Sequence, residues 1–528
     1  MKRNAIKILA SAMVVLGIAT GCEKSLDKAP FNAITDDVAF ATADRCLLAM
    51  NGVYDAAQSS PYTDGSVRGY PFGAANIEQG DARGEDIINV AAFFQITYQA
   101  TYNATTANNV GMWGALYALI NKANISIDGF RIAGTNGVIT DAVAKQYEAE
   151  CRFLRAMAHH EAVILYARPY LDGNGNKLGV PYRDFAINSG SAVDQIKTIA
   201  RPTVAENYAK ILEDLEFAEA NLPNTISPAT VRASKAAAIA LKMRVKLHMG
   251  DWPGVITEGA KLVPNTAPFV SPIGGWTLTA TPNGPFTNNS SVESIFSIRN
   301  DALDNTGTNG ALPSMYGAAN LGARGLIAVS PIIWNNGGWL CDDIRRTSLY
   351  TTGVNANGAS TFNYFTTKYS RYTTREDFAP QIRYAEVLLM LAEAEARQAA
   401  GVSTRAISLL NAVRNRALAN PTTQQYTAAS FATKVDLVRA ILLERRIEFL
   451  CEGKRWGDIH RNVMDANYTT SGIPAKYQNA SQGASIYSCG GAINATQAAV
   501  PYADFKFVWP IPASEVVQNP IIEQNPDY

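Results

Sequence analysis

One segment constrains the fold of this chain more than any other: a helix with the spacing of a buried element that carries four charges. Over residues 433–452, the positions of Val435, Val438, Ile441, Leu442, Phe449 and Leu450 predict an apolar helical stripe, yet Glu444, Arg445, Arg446 and Glu448 are threaded through it. Glu444 and Glu448 stand four apart, where like charges repel on an isolated helix. The segment therefore requires a buried or half-buried network, with arginines from this or neighbouring helices between the two glutamates. Losing one partner of such a network typically costs about 3–5 kcal/mol.

The helices before it supply the packing. From Tyr384, the residues Ala385, Leu389, Ala392, Ala396 and Ala399 lay a stripe of small side chains along one helix face. Glu393 and Arg397 stand four apart on another face, Gly401 ends the helix, and Ser403 or Thr404 caps a second one running to Ala417. Residues 235–262 repeat the unit: an Ala-rich helix to Met249, a break at Gly250-Asp251, then Trp252-Pro253 opening a helix with Val255, Ile256, Ala260 and Leu262. Two such units predict tetratricopeptide-like helix pairs stacked into a curved wall; ordinary antiparallel pairs in an irregular bundle are the alternative. Further helices are expected over 36–58, from about Asn109 onward, over 141–166, and from Pro202 to about Leu222. The expected fold class is mostly α, a curved helical core with a large irregular, loop-rich ligand-binding face.

That face has two sources. Residues 59–106 are punctuated by Gly, Pro, Asn and Tyr and read as exposed loop, with Asp81, Arg83, Glu85 and Asp86 close together. Across 264–379 the helical period disappears, while Trp276, Tyr316, Trp334, Trp339 and several other aromatics accumulate among Gly, Asn, Thr and Ser. Residues 467–504 are again loop-like. The proline-rich end, from Trp509-Pro510-Ile511-Pro512 to Gln524-Asn525-Pro526, reads as an extended strap over the core.

The amino terminus is a processing signal. Lys2, Arg3 and Lys7 precede an apolar run over 8–18, and Ala19-Thr20-Gly21-Cys22 closes it, as in a bacterial lipoprotein signal covering 1–21. Cys22 is then the lipid-attachment residue, and the mature chain is tethered to a membrane by buried hydrocarbon. The balance of 46 basic and 46 acidic residues argues against a nucleic-acid partner. Cys46, Cys151, Cys341, Cys451 and Cys489 are an odd set with no metal or redox spacing, so buried free thiols are expected for most of them. His159-His160-Glu161 lacks zinc-protease spacing, and Asp172, Asn174 and Asn176 lack the downstream glutamate of a calcium loop. No metal, cofactor or catalytic residue is expected.

Several pieces in order along the mature chain resemble the SusD/RagB family of outer-membrane nutrient-uptake lipoproteins of Bacteroidetes-type bacteria. They are Arg152-Phe153-Leu154-Arg155-Ala156, Gly179-Val180-Pro181, Arg201-Pro202-Thr203 before Tyr208 and Asp214-Leu215, then Ile382-Arg383-Tyr384-Ala385-Glu386-Val387-Leu388-Leu389 and Asn411-Ala412-Val413-Arg414. Glu444-Arg445-Arg446-Ile447-Glu448, Gly453-Lys454-Arg455-Trp456-Gly457-Asp458 and the Trp509 strap complete the set. The resemblance implies an amino-terminal part over 22–230 and a carboxy-terminal part over 231–528, intertwined in one unit. It also implies a lid role on a TonB-dependent, SusC-like transporter that imports oligosaccharides or, in some members, peptides, with the protein anchored in the outer membrane and facing outward.

The family's ligand contacts do not lie in its shared motifs, so the site is argued from chemistry. Sugars present C–H faces rimmed by hydroxyls and call for aromatic platforms edged by amides and carboxylates. Trp334 and Trp339 flank Asn335-Asn336-Gly337-Gly338 and are the first candidates, followed by Trp276 and Tyr316, with Asp81 and Arg83 as hydroxyl partners. For each aromatic, filling the core beneath a long loop is the competing reading. Asp342, Asp343, Arg345 and Arg346 read as an anchoring ion-pair cluster. A lipid-anchored glycosidase would need two carboxylates facing across a cleft, whereas Glu393, Glu444 and Glu448 lie on packed helices beside arginines.

Overall fold

Helix boundaries follow local chemistry closely. The computed structural model describes residues 36–356, 358–478 and 484–528; the amino-terminal signal and Cys22 lie outside the described residues. The scaffold comprises α1 (Ala43–Gln58), α2 (Ala75–Ala82), α3 (Ala107–Thr135), α4 (Asp141–Tyr166), α5 (Val204–Asn221), α6 (Lys235–Met249), α7 (Trp252–Leu262), α8 (Tyr384–Gln398), α9 (Thr404–Arg414), α10 (Lys434–Glu448) and α11 (Lys454–Asn462). Packing is largely sequential: α1 on α3, α3 on α4, and so on to α7 on α8, which then takes both α9 and α10. The pair α6–α7 turns at Gly250, whose φ of 71° suits glycine, and the Asp251 side chain caps α7 by accepting from the Gly254 N–H. Ser403, rather than Thr404, caps α9 by accepting from the Ala406 N–H at 3.1 Å. Reciprocal capping boxes open α5 (Thr203 with Glu206) and α10 (Thr433 with Asp436).

Two expectations are corrected. The helix expected over 36–58 is divided into Asp36–Ala39 and α1, because Thr42 caps the second piece. That start puts Cys46, Met50, Val53 and Ala57 on the buried face, while Leu47 and Leu48 point outward. The stretch over 59–106 is not simply an exposed loop: it contains α2 and strand β1 (Ile87–Asn89), and Asp81, Arg83, Glu85 and Asp86 are all buried. Their partners come from far along the chain, so local polarity could not reveal the burial.

Short antiparallel strand pairs tie the irregular segments to each other. β1 pairs with β3 (Ile327–Val329) in the register Ile87↔Val329, β2 (Ser294–Ile298) pairs with β6 (Ala379–Arg383), and β4 (Tyr350–Asn355) pairs with β5 (Gly358–Thr366). The carboxy-terminal strap lies over the end of α4: the Trp509 N–H donates to the Leu165 carbonyl at 2.9 Å, and the Asn525 amide donates to the Tyr166 and Trp509 carbonyls. Cys341 and Cys489 form a disulfide, whereas Cys46, Cys151 and Cys451 are buried thiols.

The charges on α10 form the expected network: Arg414 on the neighbouring α9 reaches Glu444 at 3.8 Å, and closer partners come from outside the helices. Glu444 and Glu448 are both bound by Arg345, at 2.6 and 3.1 Å, and Arg345 also grips Asp343 at 2.8 Å. Glu448 receives Arg416 at 2.7 Å and Arg383 at 3.1 Å, and both arginines also reach Glu293. Arg345 comes from the 264–379 segment, Arg383 from the end of β6 and Arg416 from the turn after α9. Burial pushes the Glu448 carboxyl up, but Arg416, Arg383 and Arg345 outweigh it and hold the group at about 2. Arg445 and Arg446 face the other way, to Asp458 at 2.9 Å and to Glu85 and Asp86. Arg446 thereby joins α10 to β1, and Arg455 on α11 adds a second link to Glu85 at 2.6 Å. Glu393 pairs with Arg397 at 2.8 Å, as its spacing suggests, and with Arg461 at 2.6 Å.

Candidate ligand-binding face

The six side chains singled out from the sequence all lie in the interior. Trp334 and Trp339 flank their turn with ring centroids 5.4 Å apart, edge to face, but Trp339 is fully buried and Trp334 is 6% exposed. Tyr364 stacks on Trp334 at 3.8 Å, while Tyr350 and Tyr487 meet it edge-on. The Arg346 guanidinium lies over both indoles, at 4.8 and 4.2 Å, and donates to the carbonyls of Trp334, Trp339 and Leu340. The amide between the indoles is also taken. Asn335 Nδ2 donates to the Ile486 and Ala492 carbonyls, and its Oδ1 accepts from the Ser488 N–H at 2.8 Å. This segment, fixed to the Trp339 turn by the Cys341–Cys489 disulfide, occupies the position in front of the turn.

Trp276 is 9% exposed. The Tyr316 hydroxyl donates to Asp81 Oδ2 at 2.6 Å, and Asp81 also accepts from the Gly453 N–H at 3.0 Å, so two candidates meet, but as a fully buried pair. Burial pushes the Asp81 carboxyl up to about 7. Arg83 stacks on Trp456 at 3.5 Å and donates to the Leu165 and Phe507 carbonyls. None of the six has an open ring face or a free polar rim.

Half-buried aromatics of the irregular segments are different residues, among them Phe93, Phe286, Tyr364, Tyr372, Phe378 and Tyr487. Phe93 is placed by the scaffold. Arg446 and Arg455 hold Glu85 and Asp86, β1 pairs with β3, and the Val90 N–H donates to the Leu326 carbonyl at 2.9 Å. These bonds set the turn after β1 against the segment before β3. There the Arg324 guanidinium lies 4.9 Å from the Phe93 ring centroid and Arg68 lies 5.8 Å from it. Arg324 also donates to Asn309 Oδ1 at 2.8 Å, and Arg68 pairs with Asp64 at 2.7 Å. Tyr372 leans on the same segment at Gly317, where an added Cβ would fall 2.4 Å from its ring. The signal for this surface was a Phe-Phe pair inside a stretch rich in turn residues; nothing local marked it against the more numerous aromatics of 264–379.

Among the described residues, no group of three or more His, Cys, Asp or Glu side chains is arranged to hold a metal ion, and no helix is long and apolar enough to cross a membrane. Buried helices carrying a loop-built, aromatic-edged face define the class of this protein, and comparison with known proteins agrees. The SusD family model matches residues 336–528, and a second model, described as "Starch-binding associating with outer membrane", matches 68–247. SusD-like protein P2 of Formosa agariphila is 29% identical over 68% of this chain and 73% of its own length. SusD-like protein P38 of the same organism is 24% identical over 99% of both chains. A crystal structure of a SusD superfamily protein from Bacteroides fragilis superposes with a TM-score of 0.72 at 25% identity, covering 92% of this chain and all of that one. The chain belongs to the SusD/RagB family.

Proposed function

We propose that this protein is a non-catalytic, lipid-anchored receptor of the outer membrane that captures an oligosaccharide on its outward loop face and passes it to a TonB-dependent, SusC-like transporter. The observation that carries the reading is the half-buried Phe93 ring, fixed through the β1–β3 pairing, with the Arg324 guanidinium over it and the Asn309 amide oxygen holding that guanidinium. An apolar platform with polar groups at its rim matches the C–H faces and hydroxyls of a sugar. The description of the matching family model, starch binding in association with the outer membrane, supports the same reading. Trp334 and Trp339 act from behind in this proposal, backing Tyr364 and Tyr487, while Trp276, Tyr316, Asp81 and Arg83 hold the loops in place. A hydrolytic role has less support, because Glu393, Glu444 and Glu448 are occupied by arginines rather than facing each other across a cleft.

Affinity electrophoresis and calorimetry of the mature chain against plant and algal polysaccharides test the binding. Retention without release of reducing ends is expected, and Phe93→Ala should weaken it at least about tenfold while the circular dichroism stays that of the parent. Failure to retain any carbohydrate, or steady release of reducing sugar, would overturn the proposal. The anchor has its own test: Cys22→Ala should move the protein out of the membrane fraction, and an unchanged distribution would mean that lipid on Cys22 is not what holds it there.

A further inference from the structure

The surroundings of Phe93 hold more positive charge than a neutral sugar would use. Two guanidiniums, Arg68 and Arg324, approach one ring. Arg68 has Asp64 as its counter-ion. Arg324 has no carboxylate partner among the described residues; it meets the Asn309 amide oxygen at 2.8 Å and the Met315 sulfur at 3.7 Å. Glu78 lies near enough to act on Arg324 electrostatically but does not form an ion pair with it. It is buried, its Oε1 has no hydrogen-bond partner among the described residues, and burial pushes its carboxyl well above the usual range, toward the neutral form. Burial, opposed by Glu78 and reinforced by the Arg68 charge, pulls the Arg324 guanidinium below its ordinary range. The contrast with the interior is direct: Arg345 is met by three carboxylates. Arg68 sits closer to the Tyr62 ring, at 4.5 Å, so Arg324 is the nearer cation on Phe93, and a guanidinium there without a counter-ion is an arrangement that an incoming anion relieves.

We propose that the patch formed by Arg324, Arg68 and Phe93 recognises an anionic substituent of the captured oligosaccharide, a uronic acid carboxylate or a sulfate ester. The inference rests on the reading of this face as a glycan site and assigns the class of glycan. A guanidinium presents parallel N–H donors that match the paired oxygens of a carboxylate or sulfate, and such charge-assisted bonds are stronger than those to hydroxyls. The Phe93 ring would take the C–H face of the same sugar or of its neighbour. A neutral glucan offers only hydroxyls here and leaves Arg324 without a counter-ion.

The test uses the mature chain with three defined probes: an oligogalacturonate, a sulfated galactan oligosaccharide and a neutral malto-oligosaccharide. Binding is read by calorimetry between about 50 and about 300 mM salt, where screening separates charge-based from neutral contacts. At least one acidic probe should bind at least about tenfold more tightly than the neutral one, and Arg324→Gln should remove at least about tenfold of that affinity. Arg68→Gln should remove less, because Asp64 already neutralises Arg68, and Arg324→Lys should restore part of the loss. Preference for galacturonate identifies a carboxylate ligand, and preference for the galactan identifies a sulfate. Tight binding of the malto-oligosaccharide that Arg324→Gln leaves unchanged would overturn this inference while the glycan reading stands. Absence of binding to these probes and to the whole polysaccharide panel would overturn the glycan reading and this inference with it. Melting of Arg324→Gln at the parent temperature establishes that the variant is folded.

Discussion

Arg345 and Arg324 belong to the same irregular segment and meet opposite fates. Arg345 is buried and bound by Asp343, Glu444 and Glu448, so its charge is spent within the molecule. Arg324 is half-buried and meets an amide, a thioether and an aromatic ring. The difference separates two tasks that one loop-rich segment performs. Where it touches α10 it closes the scaffold's own electrostatics, and where it borders β3 it leaves a cation over a half-buried ring, with no carboxylate partner among the described residues. A buried network of this kind is fixed by the folded chain alone, whereas an uncompensated surface cation makes sense once a ligand is added.

The largest effect expected from breaking this comparison lies in the scaffold. Glu448→Gln removes the carboxylate shared by Arg345, Arg383 and Arg416, and should destabilise the fold by about 3–5 kcal/mol in chemical denaturation. A denaturation midpoint equal to that of the parent would show that the network is dispensable. The next effect is acid sensitivity, also a property of the scaffold. All four histidines of the chain are buried, and three of them cluster, with ring centroids of His160 and His248 4.9 Å apart and of His248 and His460 6.3 Å apart. Burial holds His160 and His460 at about 3, far below the ordinary 6.5. Below pH 6.5 the unfolded chain therefore binds protons that the folded chain refuses, and stability falls as pH drops from 6.5 toward 3. Asp81 and Glu161, pushed by burial up to about 7, act in the opposite direction over much of the same range. The readout is accordingly a difference between variants. His160→Gln should flatten the pH dependence of stability between about pH 6.5 and 4.5 by about 1.4 kcal/mol per pH unit relative to the parent. Parallel curves for the two proteins would exclude His160 from the acid response. Variants of Phe93 or Arg324 should leave both stability and its pH dependence nearly unchanged.

The scaffold was far more legible in the sequence than the face. Helical periodicity, a glycine turn and capping residues are local signals, and the spans 141–166 and 235–249 were read from them with the bounds the structure has. The need for arginines around Glu444 and Glu448 was also readable, because like charges four apart on an apolar helix demand it. Which arginines was not: Arg345 approaches from 99 residues away in sequence. The same limit explains Asp81, Arg83, Glu85 and Asp86, whose polar run resembles a surface loop until Tyr316, Trp456, Arg446 and Arg455 surround it. At Trp334 and Trp339 the residue types suited a sugar site, but the segment carrying Tyr487, pinned by Cys489 at a sequence distance of 148, covers the turn they flank. Phe93 went unnoticed because its placement depends on the β1–β3 pairing, which joins segments more than two hundred residues apart.

The division between a self-satisfied scaffold and an open face is the central claim, and measuring melting and glycan affinity together on Glu448→Gln and Phe93→Ala tests it most directly. A double dissociation is expected: Glu448→Gln melts well below the parent yet, at a temperature where it is folded, binds the oligosaccharide with parental affinity, while Phe93→Ala melts with the parent and loses at least about tenfold in affinity. A Phe93→Ala protein that binds like the parent, or a folded Glu448→Gln protein that loses affinity to the same extent, would contradict it.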